Sequence, residues 1–128
     1  MEVDRHQQIC EGAFTTGVVN GWIKEQSLIL DSNKGLIVMT GCAHPRIVKI
    51  LILTKYLLQK DIFLVLGGFH LAGFDKQEIK EIIARFQELG VNQVGPAHCS
   101  GDEARRLFVQ EYKNDFITIG VGKKIIIK

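Results

Sequence analysis

The sequence predicts an α/β (α+β) fold with one mixed sheet and helices on one face, and three observations predict it. Strand-like apolar runs at residues 36–39, 62–66 and 94–97 are each followed within a few residues by a histidine and then a helix start. The runs at 27–31 and 36–40 flank Asp31-Ser32-Asn33-Lys34-Gly35, whose residue types favour a hairpin turn and therefore an antiparallel pair. Two later segments place apolar residues at helical spacing.

Taken in order, residues 1–9 are polar and expected to be loosely held, and residues 13–19, 27–31 and 36–40 read as strands. The first helix is expected over 45–59, with Pro45 at the favoured first helical position. Its nearly continuous apolar residues predict burial on more than one side. Strand 62–66 follows, then a helix opened by the capping pair Asp75 and Glu78, with Ile79, Ile82, Ile83, Phe86 and Leu89 on one face and Gly90 as its stop. Residues 91–96 read as a strand, and Ser100 with Glu103 as a second capping pair for a helix reaching Tyr112. Residues 116–120 and 124–127 are expected to close the chain as a strand pair.

A chain of 128 residues is the size of one domain, and 46% apolar with 23% charged residues is a globular composition. The net charge of +2, without a basic stripe, predicts no nucleic-acid partner. The longest apolar stretch is broken by Lys49, Thr54 and Lys55, so no membrane span is expected. Three cysteines without framework spacing, and a polar opening segment without a signal-peptide pattern, predict the cytoplasm and no disulfide. Strands 36–39 and 62–66 are apolar throughout, the pattern of strands covered on both faces, yet the helices can cover only one.

His44, His70 and His98 fall at the carboxyl ends of predicted strands, the edge where open α/β folds bind ligands, so they can converge on one cleft. The helix start at Ser100 and Gly101 offers free amides beside His98, a setting that suits phosphate or carboxylate.

The ordered segments Gly12-Ala13-Phe14-Thr15-Thr16-Gly17, Glu25-Gln26-Ser27-Leu28, Thr40-Gly41-Cys42-Ala43-His44-Pro45, Gly67-Gly68-Phe69-His70-Leu71 and Pro96-Ala97-His98-Cys99-Ser100-Gly101 resemble the C-terminal half of metallo-β-lactamase-fold hydrolases. The branch resembled includes proteins like dihydropterin ribofuranosylaminobenzene phosphate synthase. The resemblance implies half of an αββα sandwich and a divalent metal, zinc or else iron or manganese. It implies that His98 is a metal ligand, that Cys42 or His44 lies at the metal edge, and that His70 is on the substrate side, with a ligand role for it also open. The free amides at Ser100 and Gly101 make those two residues the expected substrate-binding helix start, in agreement with a phosphorylated substrate. No catalytic residue is assigned.

The sequence departs from that family in lacking the His-x-His-x-Asp-His motif, which Asp4-Arg5-His6 does not match. Arg46 stands where relatives carry glycine, and Lys24 where they carry an acid. A catalytic zinc site takes three protein ligands, so the expectation is a hydrolase-like half completed by a separately encoded N-terminal half or by a second copy in a homodimer. The alternatives are a non-catalytic dimeric binding module with a vestigial metal or anion site, and a piece of a longer enzyme.

Overall fold

Six strands lie in chain order across one sheet: β1 (Arg5–Cys10), β2 (Ala13–Gly17), β3 (Leu28–Ser32), β4 (Gly35–Thr40), β5 (Ile62–Gly68) and β6 (Gln93–Ala97). The computed structural model describes residues 4–127, with His98 described in its backbone alone. Strands β1 to β4 pair antiparallel, whereas β4, β5 and β6 pair parallel. The sheet is therefore mixed, as expected. Its parallel half is made by crossovers through α1 (Ile47–Leu58) and α2 (Lys76–Glu88), and α3 (Asp102–Tyr112) follows β6.

The helices pack on one face. Leu36 and Val38 of β4, Val65 of β5 and Val94 of β6 join Ile47, Ile50 and Leu51 of α1, Ile79, Ile83 and Phe86 of α2, and Leu107 and Phe108 of α3 in one buried cluster. Phe69, Phe86 and Phe108 meet with ring centroids 5.2–5.5 Å apart in tilted and edge-on arrangements, the geometry aromatic quadrupoles favour. The α2 start is the capping box its sequence predicts: the Asp75 side chain accepts from Glu78 N at 2.8 Å, and Glu78 Oε2 accepts from Asp75 N at 3.0 Å.

Four local expectations are corrected. Of residues 1–9, read as loosely held, residues 1–3 lie outside the described residues, and residues 5–9 form with Cys10 an edge strand paired with β2, ending at Cys10 opposite Ala13. Helix α1 begins at Ile47 rather than Pro45, because Arg46 takes φ 89° and cannot be a helical residue. Helix α3 is capped by Gly101 with no side-chain bond, so the Ser100–Glu103 capping pair does not form. Ser100 is instead fully buried, with its hydroxyl accepting from Phe69 N at 3.0 Å and donating to Ala97 O at 2.8 Å.

The last correction concerns the second face of the sheet. Residues 116–127 contribute one bridge, Phe116 to Val94, and no strand pair. They cross the apolar face that the helices leave open, and Ile119, Ile125 and Ile127 line a cavity of about 340 Å³ together with Leu30, Ile37, Met39, Leu64 and Leu66. Gly95 permits this approach, since a Cβ there would lie 2.8 Å from the Ile119 side chain. Leu64 is 1% exposed and Ile37 7%, while Leu30, Met39 and Leu66 are half-buried, so the face is partly covered rather than bare. Burial of these isoleucines favours the covered arrangement without any ladder of hydrogen bonds.

Candidate functional site

Three turns leave the carboxyl ends of the parallel strands and meet at one rim: residues 41–46 after β4, 69–75 after β5, and 98–101 after β6. They are tied together by backbone. Gly68 N donates to Gly41 O at 3.0 Å, Ala72 N to Cys99 O at 3.3 Å, and the Thr40 hydroxyl to Gly68 O at 2.8 Å. Gly68 is required here, because a Cβ would sit 2.4 Å from Gly41 O and 2.8 Å from Cys99 Sγ.

A fourth segment, residues 18–26 between β2 and β3, folds over this rim. Val19 bridges Glu25, Lys49 Nζ donates to Asn20 O at 2.7 Å, and Gly21 lies against Pro45. This placement delivers Glu25 to the β4 turn. Its Oε2 accepts from Ala43 N at 2.8 Å, and its Oε1 meets Nδ1 of His44. Both side chains are mostly enclosed, at 16% and 17% exposed. With Nδ1 held by a carboxylate, Nε2 of His44 is the nitrogen left for a ligand or a proton.

His70 lies beside His44, ring centroids 4.5 Å apart, and Trp22 approaches His44 edge-on at 6.0 Å. Trp22 itself is 84% exposed. The backbone at the rim is strained: Ala43, Arg46 and His70 adopt φ of 59°, 89° and 53°, conformations that L-residues hold only when their surroundings impose them. Arg46 occupies a conformation that glycine adopts without strain. Its guanidinium lies over the Phe74 ring at 5.2 Å.

Cys42 and Cys99 adjoin the same rim, both half-buried, with Cys99 Sγ donating to Cys42 O at 3.3 Å. Burial, the hydrogen bond and charge of Cys99, and the Glu25 charge push the Cys42 thiol up to about 11, so it is protonated at neutral pH.

The structure thus brings together His44, His70 and Cys42 of the residues expected from sequence. The His98 side chain lies outside the described residues. Gly101 stands at the rim with φ 86°, packed on Ala72. Ser100, expected on the substrate side, faces inward with its hydroxyl engaged at both ends. Sequence reasoning assigned no role to Glu25, Trp22 or the pairing of Cys99 with Cys42. No local spacing announces Glu25, which reaches His44 only through the fold of residues 18–26.

No model of a protein family matches the chain. Over 102 residues it is 36% identical to the 7,8-dihydropterin-6-methyl-4-(beta-D-ribofuranosyl)-aminobenzene-5'-phosphate synthase of Methanocaldococcus jannaschii, covering 79% of this chain and 35% of that protein. It is 35% identical over 92 residues to an uncharacterized protein of the same organism, MJ0448, covering 72% of this chain and 34% of the other. Its backbone matches Tm1679, a metal-dependent hydrolase of the beta-lactamase superfamily, at a TM-score of 0.90 and 30% identity over 98% of this chain and 57% of that one. The chain belongs to the metallo-β-lactamase superfamily. It spans about a third of the length of its curated relatives and somewhat over half of the solved one.

Superfamily membership raises the question of a metal. The rim offers imidazole nitrogen, thiol sulfur and carboxylate oxygen, the donor types that zinc, iron or manganese accept. Among the described residues, however, no group of three or more His, Cys, Asp or Glu side chains is placed to hold an ion. Those residues by themselves do not fit a complete metal centre. No helix among them is long and apolar enough to cross a membrane.

Proposed function

We propose that this chain supplies one half of a metal-dependent hydrolase site, completed by ligands from a separately encoded N-terminal half, a second copy, or the remainder of a longer protein. The observation that carries this reading is the Glu25–His44 pair, fixed at the strand edge beside His70 in a fold shared with a metal-dependent hydrolase while the described donor set stays incomplete. In it, Glu25 is a positioning residue that sets the ring of His44, and Nε2 of His44 faces the reacting groups. His70 borders the same space. The substrate is a phosphorylated or ester compound; the phosphate ester in the name of the synthase relative supports the former.

The test compares the purified chain alone with the chain supplied with its complementing half. Metal content by plasma mass spectrometry and hydrolysis of 4-nitrophenyl phosphate are read in both. Metal and turnover should arise in the completed assembly, with Glu25→Gln reducing either by roughly 10- to 100-fold. A completed assembly that holds no stoichiometric metal and hydrolyses no phosphoester refutes the reading.

The incomplete donor set among the described residues also favours a second reading, a non-catalytic binding module. In that case His44→Ala changes neither metal content nor turnover of the assembly.

A further inference from the structure

Cys42 and Cys99 are 57 positions apart in sequence, yet Cys99 Sγ lies 3.3 Å from the Cys42 carbonyl oxygen. They meet over Gly68. The Cβ that Gly68 lacks would sit 2.8 Å from Cys99 Sγ and 3.1 Å from Cys42 Cα, too close for a methyl group, so both cysteines pack directly against the glycine backbone. The turns that carry them are each tied to the β5 turn, through Gly68 N to Gly41 O and Ala72 N to Cys99 O. Neither cysteine is fully buried, so the pair lies at the surface of the rim rather than in the core. Cys10 stands apart on the edge strand β1 and is exposed.

We propose that Cys42 and Cys99 form a reversible intramolecular disulfide, a thiol-oxidation site that staples the β4 turn to the β6 turn across the rim. The oxidant is a small disulfide such as glutathione disulfide. One protein thiol loses its proton and its sulfur attacks the glutathione disulfide; the S–S bond breaks and one glutathione leaves, taking up a proton. The second protein thiol then attacks the mixed disulfide, forming the Cys42–Cys99 bond and releasing the second glutathione with its proton. Two protein thiols are oxidised, and one glutathione disulfide is reduced to two glutathione thiols. Transient disulfides of this kind occur in reducing compartments as redox sensors, so the site is compatible with the absence of a structural disulfide framework. It stands independently of the hydrolase reading.

The chain is equilibrated in glutathione buffers of increasing oxidised fraction, quenched with an alkylating agent, and mapped by non-reducing peptide mass spectrometry. The expected result is a peptide linking Cys42 to Cys99, with accessible thiols under denaturing conditions falling from three to one. Cys10→Ser should leave the linkage intact, and Cys99→Ser should abolish it and leave Cys42 alkylatable or singly glutathionylated. Mixed disulfides alone, a linkage to Cys10, or both thiols remaining alkylatable throughout would overturn the proposal. Because both variants are read by the same mapping, a folding defect in Cys99→Ser leaves the wild-type and Cys10→Ser results decisive.

Discussion

Glu25 holds two consecutive residues at once, accepting the Ala43 amide at 2.8 Å through Oε2 and meeting Nδ1 of His44 through Oε1. One carboxylate therefore fixes both the strained backbone of the turn and the orientation of its imidazole.

Replacing that carboxylate should cost stability as well as function. Ala43 is fully buried, so Glu25→Ala leaves its N–H without a partner, at about 1–3 kcal/mol. Glu25→Gln keeps an acceptor and should lose less. Urea denaturation of both variants separates them; equal losses would mean that the Ala43 bond contributes nothing.

Ser100→Ala should behave as a structural substitution. It removes the acceptor of the buried Phe69 N–H, which costs about 1–3 kcal/mol and speeds hydrogen exchange at Phe69. A variant with unchanged exchange at that amide would show that the hydroxyl does not tie the two turns.

Arg46→Gly should stabilise the protein. Holding an arginine at φ 89° costs on the order of 1–3 kcal/mol, whereas an exposed stack on Phe74 returns roughly 0.5–1 kcal/mol. A net gain of about 1 kcal/mol is expected in a thermal or urea melt, and a loss would mean that the stack outweighs the strain.

Tyr112 links stability to alkaline pH. Its buried hydroxyl donates to Val91 O at 3.1 Å, and burial together with Asp115 pushes it from 10.0 up to about 12. The folded state keeps a proton that the unfolded chain releases, so this contribution is fully present below pH 10 and is lost as pH rises toward 12. Tyr112→Phe should flatten the fall in stability across that window; identical slopes in wild type and variant would remove the linkage.

The C-terminal segment should act as a cover. Ile125→Asp, or truncation after Gly120, withdraws side chains that line the cavity over Leu64, Leu66 and Met39. The exposed face is expected to bind a hydrophobic dye and to drive self-association visible by light scattering. A truncated chain whose light scattering is unchanged from that of the full chain and that binds no dye would show that the segment covers nothing of consequence.

Much of the fold was legible because it depends on neighbours in sequence. The α2 helix carries its own start, stripe and stop in Asp75, Glu78, the apolar series to Leu89, and Gly90, all within a few turns. The continuous apolar runs of β4 and β5 announced central strands in the same way, and the histidines after β4 and β5 were placed by their position at strand ends.

The remainder was decided by partners distant in sequence. Ser100 and Glu103 have capping-box spacing, yet the hydroxyl goes to Phe69 N across a turn 31 positions away, because an unpaired buried amide is more costly than an uncapped helix start open to water. Glu25 became part of the site only when residues 18–26 folded over His44. Residues 124–127 have strand-forming side chains, but a strand requires a neighbour for its hydrogen bonds, and burial of Ile125 and Ile127 on the sheet face prevailed instead. Periodicity and capping, being local, were determined by the sequence itself. Which polar groups meet, and which apolar face is covered by what, were decided by tertiary structure, since those energies exist only once distant segments are in contact.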